Sequence, residues 1–383
     1  MRIVIIGAGL AGPLLAQGVR RHGPDVTIIE RRPPIEHRRA GYRIHLDPQG
    51  ELALRACLPR ELHELALLTA GVTGSGVRVL NTDLEVIQEM LVGQPDDIES
   101  TGRHLTVDRQ TLREILLAGL DDKIIYGSGF SSYELAQDGT VRVDLDDGSS
   151  LTADLLVGAD GSGSRLRQQL LPQLEVIDIG QVNVFGRTPL TDATLPDVPA
   201  AALEGFSTVV GPDGRAMPLA AHRFANPPQP TADRLWPGLR MSADHDYLMW
   251  VFSMPADSLP PAATSEFLQA FTADQVAAWH PSLARIVRAS EPGSVASTIV
   301  RTSRRPAAPW TSGPVTLVGD AAHPMIPAGL GAAVGLADAA ALSEQLAAVA
   351  AGELELIAAV ANYERKMIKD GFDAVEQSER RFS

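Results

Sequence analysis

MRIVIIGAGLAGPLLAQGVRRHGPDVTIIERR, Met1 to Arg32, reads as strand, glycine turn, helix and second strand. Ile3 to Ile6 is an unbroken β-branched run, the pattern of a parallel strand buried on both faces. Gly7, Gly9 and Gly12 then form G-x-G-x-x-G. The first glycine permits a tight turn, the second lets a pyrophosphate approach the backbone, and the third lets the helix pack close to the strand. Leu10 and Ala11 lie inside this turn, and the free N–H groups of the helix start suit phosphate. Val26 to Ile29 is the second strand and ends at Glu30. A carboxylate there, about twenty residues past the glycines, can accept hydrogen bonds from a ribose diol. Arg31 beside it is a further cofactor-contact candidate. The pattern predicts a Rossmann-like dinucleotide-binding unit in a mixed α/β fold, and both NAD and FAD satisfy it.

The bulk properties narrow the classes. A chain of 383 residues holds two or three domains' worth of material. With 45% apolar and 21% charged residues its composition is that of a globular protein. A net charge of −14 argues against nucleic-acid binding, which needs a basic surface, and against docking on anionic lipid. The lone Cys57 excludes an internal disulfide and fits a reducing compartment. Arg2 and the short apolar run to Gly7 do not make a signal peptide, and no stretch reads as long and apolar enough to span a bilayer. The histidines show no H-x-x-H or H-E-x-x-H spacing, so no metal site is expected. The expectation is a cytoplasmic enzyme with neither a membrane nor a nucleic acid as partner.

Later segments separate FAD from NAD. Val315 to Val318 reads as a buried strand, followed by Gly319 and Asp320. A carboxylate at that strand end can bind a ribityl hydroxyl, which FAD has and NAD lacks. Pro327 and the Gly329-Leu330-Gly331 turn then open a helix of small residues, with Ala332 in its first turn. Small residues leave room for a planar ring, and the free N–H groups carry partial positive charge. Asp108, Arg109 and Gln110 precede Leu112, Ile115 and Leu116, an amphipathic helix. VRVDLDDGSSLTADLLV, Val141 to Val157, predicts a hairpin turning at DDGS, and Gly158-Ala159-Asp160-Gly161 follows. YRIHLD puts Arg43, His45 and Asp47 on one strand face and Tyr42, Ile44 and Leu46 on the other.

Four segments, together with the N-terminal fingerprint, resemble one family in order and spacing. They are ERRPPIEHRRAGYRIHL (Glu30 to Leu46), LTVDRQTLREIL (Leu105 to Leu116), DLLVGADGSGSRLRQQL (Asp154 to Leu170) and VTLVGDAAHPMIPAGLGAAVGLADAAALSEQL (Val315 to Leu346). The family is the FAD-dependent aromatic-hydroxylase type of monooxygenase, the group A flavoproteins with a para-hydroxybenzoate-hydroxylase-like fold. The resemblance is thin between about Pro172 and Pro292. It implies non-covalent FAD, with Arg109 at the pyrophosphate and ribityl chain, and Arg39 also near the pyrophosphate. It places Asp160 in the cleft beside FAD and implicates it in nicotinamide use. No second G-x-G-x-x-G occurs, so NADPH or NADH as a transient reductant would use a groove rather than a domain. Arg43 and His45, on a strand that passes near the flavin by this resemblance, are substrate-pocket candidates. His323 stands where the family often has histidine, and a structural role is expected of it. One residue departs from the pattern: Leu330 occupies a place where the family often has a polar side chain, commonly glutamine.

The middle of the chain reads as a different domain. STVVGPDGRAMPLA and DYLMWVFSM alternate, which predicts a mostly antiparallel sheet roofing the flavin. Met217 and Trp250 are candidate substrate contacts, but Trp250, like Met249, Phe252 and Met254, is open between pocket and core, and strand alternation favours core. The expected architecture is a discontinuous FAD-binding domain of residues 1–75, 100–172 and 290–383. Into it is inserted a substrate-binding β-sheet domain of residues 76–99 and 173–289. Gly352 to Arg381 is expected to form a pair of C-terminal helices, without the additional domain of some larger relatives. The implied reaction begins with reduction of FAD by NAD(P)H and addition of O2 at flavin C4a. The hydroperoxide then passes one oxygen atom to a hydrophobic, aromatic or polycyclic small molecule of the kind found in secondary metabolism. The cofactor carries that chemistry, so no catalytic side chain is nominated. A monomer or homodimer is expected. A flavin dehydrogenase or reductase, and a non-redox cyclase keeping FAD as a structural part, remain as alternatives. A flavin halogenase is disfavoured, because none of Lys123, Lys366 and Lys369 falls in a flavin motif.

Overall fold

A computed structural model describes residues 1–33, 41–72, 74, 76–91, 101–260, 263–308 and 310–382. Arg2–Ile6 is the middle strand of a five-stranded parallel sheet. The order is Val315–Leu317, Leu155–Gly158, Arg2–Ile6, Asp25–Glu30 and Ile124–Tyr126. Ile3 to Ile6 are buried, as the continuous β-branched run requires of a strand covered on both faces. Helix Ala11–Arg20 follows the glycine turn and packs against helix Gly331–Ala350, so two motifs over three hundred residues apart adjoin. Helices Pro48–Cys57 and Leu356–Phe382 flank the same long helix. By length and composition Gly331–Ala350 is apolar enough to cross a membrane, which corrects the expectation that no segment is. Here Leu336, Ala339, Leu342 and Leu346 bury its stripe in the domain core.

Leu356–Phe382 is one helix of 27 residues, not the expected pair. Val360, Tyr363, Met367 and Val375 repeat on one buried face, and the stripe continues through Gly371. Tyr363 donates to the Leu317 carbonyl (2.7 Å), and Glu364 accepts from Thr316 (2.8 Å), which fastens the helix to the sheet. The predicted hairpin forms: Val141–Leu145 and Ser150–Ala153 pair antiparallel within a three-stranded sheet with Phe130–Leu135.

A seven-stranded sheet carries a second core. Its order is Ala296–Ser303, Val176–Pro189, Tyr247–Pro255, Ala216–His222, Phe206–Val210, Gly76–Leu80 and Val86–Leu91. All neighbours run antiparallel except Phe206–Val210 with Gly76–Leu80. Because Ala296–Ser303 pairs into it, this sheet reaches beyond residue 289, where the sequence reading ended it. Its far face carries Leu248, Trp250, Phe252, Met254, Met217 and Leu219 into a core closed by helices Ser265–Gln275 and Pro281–Arg288. Its near face carries Tyr247, Met249 and Ala220 against Tyr42. A two-stranded ladder, Arg43–Leu46 with Leu105–Asp108, lies between the first core and the near face of the large sheet. It gives Ile44, Leu46, Leu105 and Val107 to the first core, and Arg43, His45, Thr106 and Asp108 to its other face.

Candidate cofactor and substrate site

The glycine turn is shaped by its own backbone. Gly7 has φ +110°, and a Cβ there would lie 2.4 Å from the Ala159 carbonyl oxygen. A Cβ on Gly12 would lie 2.2 Å from the Gly7 carbonyl oxygen. Gly7 N–H donates to the Ile29 carbonyl (2.8 Å), which sets the turn against the second strand. At the end of that strand Glu30 accepts from the backbone N–H of Ala8 (2.9 Å) and Arg32 (3.0 Å). Leu10 stands at the N-cap of the helix with no side-chain cap, and Ala11 begins it, so the first N–H groups are left for an anion. Gly9, Arg31 and Asp160 line the same cleft as Glu30.

Arg113 also lines this cleft and donates from Nε to the Ala8 carbonyl (2.7 Å). Sequence reasoning chose Arg109 and missed Arg113, one turn further along helix Arg109–Leu117. The available signal was the i, i+4 spacing of the two arginines. Arg109 N–H donates to the Tyr42 carbonyl (2.7 Å), which ties that helix start to the strand carrying Arg43. Asp108 caps the helix by accepting from Thr111 N–H (2.7 Å). Arg39 lies outside the described residues.

The Asp160 loop and the Asp320 loop meet through an arginine that the sequence did not flag. Arg167 is buried and donates to the carbonyls of Ser162 (2.8 Å) and Ala321 (3.0 Å). Asp160 Oδ2 accepts from Arg165 N–H (3.0 Å) and so caps the following helix, while its buried Oδ1 has no partner. Burial pushes this carboxyl above its ordinary value, against the hydrogen bonds that Ser164 and the backbone donate.

Gly319, at φ +60°, donates its N–H to Asp338 Oδ2 (2.9 Å), and His323 Nε2 lies 2.6 Å from the same oxygen. Burial disfavours charge on His323, but Asp338 beside it prevails and holds the ring above its ordinary value. His323 is fully buried, so it braces the turn from behind. Asp320, Pro327 and Gly329 are exposed on the open side. Leu330 is 8% exposed, so its departure from the family pattern turns into the protein and leaves its backbone at the cleft. The helix starts at Gly331 and Ala332, again without a side-chain cap. A Cβ on Gly329 would meet nothing within 4 Å, and one on Gly331 would meet Met325 at 3.5 Å and Asp320 Oδ1 at 3.6 Å. The Ala11 Cβ lies 4.0 Å from the Cβ position of Gly335, in the second turn of the later helix, so the two uncapped helices meet near their starts.

These residues fit FAD. An acid stands at one strand end for the adenosine ribose, and bare helix starts serve the phosphates and ring. A second acid stands at another strand end for the ribityl chain, and the small-residue turn has open space above it.

The ladder and the near face of the large sheet bound a region lined by polar and aromatic side chains, the chamber. His45 Nε2 is 3.0 Å from His104 Nδ1, and the two rings stack at 5.1 Å. Burial, then His104 and Arg43, lower the His45 ring below its ordinary value, opposed by Asp47 and the Gly329 backbone. His45 therefore sits beside the flavin turn. Tyr247, fully buried, donates to Asp108 Oδ2 (2.8 Å). Burial and then the Asp108 charge raise its phenol well above the ordinary value. His222 is stacked on Tyr247 at 5.3 Å, and burial drives its ring down to about 4. His104, Tyr247 and His222 carry no motif, and sequence reasoning did not find them.

Trp250 and Met217 are not chamber residues. Both point to the far face and are 0% exposed. Trp250 Nε1 donates to Ser290 Oγ (2.9 Å), and its indole covers Gly186, where a Cβ would come within 2.5 Å of the ring. Strand parity explains the correction: Trp250 pairs with Leu219 and shares its face, while Met249 pairs with Ala220 and Arg187 on the other. Phe252 and Met254 go with Trp250 into the core.

A family model described as an FAD binding domain matches residues 129–366. The chain is 31% identical to the dual O-methyltransferase/FAD-dependent monooxygenase elcB of Phaeosphaeria nodorum, across 92% of this chain and 41% of that protein. It is 28% identical to the aurachin C monooxygenase/isomerase of Stigmatella aurantiaca, across 99% of this chain and 88% of that one. A crystal structure of a candidate FAD containing monooxygenase from Photorhabdus luminescens superposes with a TM-score of 0.83 at 31% identity, covering 100% of this chain and 97% of that one. The chain spans 41 to 44% of the length of the first curated relatives it matches. On the family match, the overall fold and the two bare helix starts with their acids, this chain belongs to the FAD-dependent aromatic-hydroxylase-type flavoprotein monooxygenases, a family of oxidoreductases.

Proposed function

We propose that the protein is a monooxygenase that uses NADPH or NADH to insert one oxygen atom from O2 into a hydrophobic, aromatic or polycyclic small molecule. The observation that carries this reading is the open Gly329–Gly331 turn, with His45 of the ladder beside it and the near face of the large sheet packed against that ladder. Glu30 would hold the adenosine ribose, the Leu10–Gly12 helix start and Arg113 the pyrophosphate, and Asp320 the ribityl hydroxyls. Bound and reduced FAD supplies the activation of O2. The uncapped N–H groups of Gly331 and Ala332 stabilise negative charge brought against them. Tyr247, Met249 and Ala220 form an apolar wall that keeps water from the chamber. The unpartnered Asp160 Oδ1 lies at the groove where a nicotinamide cofactor would dock for a short time.

The test uses the FAD-loaded protein, NADPH or NADH, isotope-labelled O2 and a panel of aromatic and polycyclic compounds. One labelled atom per product molecule, with matching reductant consumption, is the expected result. Peroxide in full yield without label would instead mark a dehydrogenase or oxidase. Product formed with neither O2 nor reductant would mark a cyclase.

A further inference from the structure

Two arginines enter the chamber and are treated differently. Arg187 donates from Nε to Glu291 Oε2 (2.7 Å), and its guanidinium lies 5.1 Å from the Tyr42 ring centre and 5.6 Å from that of Tyr247. Arg43 has no such company. Its Nε is buried without a hydrogen bond, and no carboxylate among the described residues pairs with it. Asp108 stands directly across the ladder from it, but that carboxylate already receives Thr111 N–H and the Tyr247 hydroxyl. Burial pulls the guanidinium down to about 10, so it stays charged near neutral pH. Next to it, His222 is 0% exposed and neither ring nitrogen has a partner. Arg43 stands across the ladder from Asp108, Asp108 holds the Tyr247 hydroxyl, and His222 stacks on Tyr247; the Arg43 charge lowers the rings of both His45 and His222. Arg43 as a whole is half-buried, but its Nε is a buried donor with no acceptor, and buried polar groups are ordinarily partnered.

We propose that Arg43 receives an anionic oxygen of the substrate, a carboxylate or an ionised phenol or enol, and that His222 adds a hydrogen bond to the same group. The inference rests on the chamber being the substrate site, as argued above, and narrows its ligand from hydrophobic to hydrophobic with an acidic group. The guanidinium fork suits a planar anion, and fixing that anion between the flavin turn and the sheet sets which edge of the substrate faces the cofactor.

The experiment titrates FAD-loaded, oxidised wild type, R43M, R43Q and R43K with benzoate, 4-cyanophenol and benzamide. Binding is followed by calorimetry and by the flavin absorbance change, from about pH 6 to about pH 9. Benzoate is ionised throughout, and 4-cyanophenol ionises within the window. A flat profile for the first, or a rising one for the second, tells which source of anion the site prefers. At least one anion is expected to bind better than benzamide, to weaken about 10- to 100-fold in R43M, and to retain part of its affinity in R43K. R43M should keep wild-type FAD affinity and melt no lower than wild type, since a buried Nε without an acceptor has gone. R43Q carries the same expectation and serves if R43M does not fold. Equal anion binding in wild type and R43M, or no anion binding to wild type, would overturn the proposal. So would loss of NADPH binding with benzoate untouched. The oxygenase reading fails separately: it falls if the protein takes up no FAD or transfers no label, whatever Arg43 does.

Discussion

Two glycine turns open two helices that pack against each other, and their glycines answer to different neighbours. At the first, side chains on Gly7 and Gly12 would strike the protein's own carbonyl oxygens at 2.4 and 2.2 Å. At the second, a Cβ on Gly329 would meet nothing within 4 Å, and one on Gly331 only ordinary contacts at 3.5 Å and beyond. Gly329 is still needed for its φ of +83°, but Gly331 has no such requirement. The first turn is glycine because the fold demands it, with or without a ligand. The second leaves room that no atom of the described residues uses. A glycine that neither backbone angle nor packing requires is a mark of space kept for something else.

The largest expected effect comes from breaking the first turn. Gly12→Ala would drive a methyl group into the Gly7 carbonyl, with Ile5 and Ala159 crowding from 3.2 and 3.3 Å. The loss should reach about 3 kcal/mol of unfolding free energy, because neither backbone segment can move without opening the sheet. Denaturant unfolding without added FAD reads it. An unchanged midpoint would show that the fold does not need this glycine and would collapse the contrast.

The same contrast explains what the sequence could reveal. The first turn is legible because its demands are local: a buried strand, glycines at fixed spacing and an acid at the next strand end. The second is legible in part, since Asp320 and the small residues lie in one run. The chamber is not. Alternation in Tyr247–Pro255 tells that there are two faces but not which one the FAD-binding fold covers, so the sequence leaves Trp250 open between pocket and core, and the sheet puts it with Met217 on the far face. Arg167 joins two loops about 150 residues apart, and His222 reaches Tyr247 only through sheet register. Such pairings are decided by topology, for which a single sequence carries no periodic signal.

A middle-sized effect tests what holds the second turn. Asp338 accepts both the Gly319 N–H and the His323 ring, and the ring is wedged against Gly371, where a Cβ would come within 2.3 Å of it. Asp338 holds His323 above its ordinary value. The charged pair therefore adds stability below the unfolded-state value of about 6.5 and loses it as pH rises through the folded value. Asp338→Asn should cost about 3 kcal/mol on the acid side, where it leaves a buried imidazolium without its counter-charge. The gap should shrink on the alkaline side toward about 1 kcal/mol, the worth of a neutral hydrogen bond. Thermal unfolding of both proteins across pH checks the slope. A gap that widens with pH would mean that His323 is neutral in the folded protein.

The smallest effect is the sharpest, because two readouts should move in opposite directions. Gly331→Ala places a methyl group where Met325 and Asp320 stand at van der Waals distance, so the protein alone can accommodate it. Gly331 is the first residue of the helix, and alanine there restricts the unfolded chain more than glycine does. The FAD-free variant should therefore be more stable by about 0.5 kcal/mol. The same methyl group occupies part of the space above the turn and stands close to the uncapped N–H groups. FAD affinity should fall by about tenfold, or about 1.4 kcal/mol. Gly331→Val should deepen that loss without unfolding the chain, since its added branches point into the same open volume. Equilibrium titration with FAD, set beside unfolding of the FAD-free protein, reads both. If affinity and stability fall together, the glycine serves packing, as at Gly12, and the two turns do not differ. If stability rises while affinity falls, the space above Gly331 is kept for the cofactor.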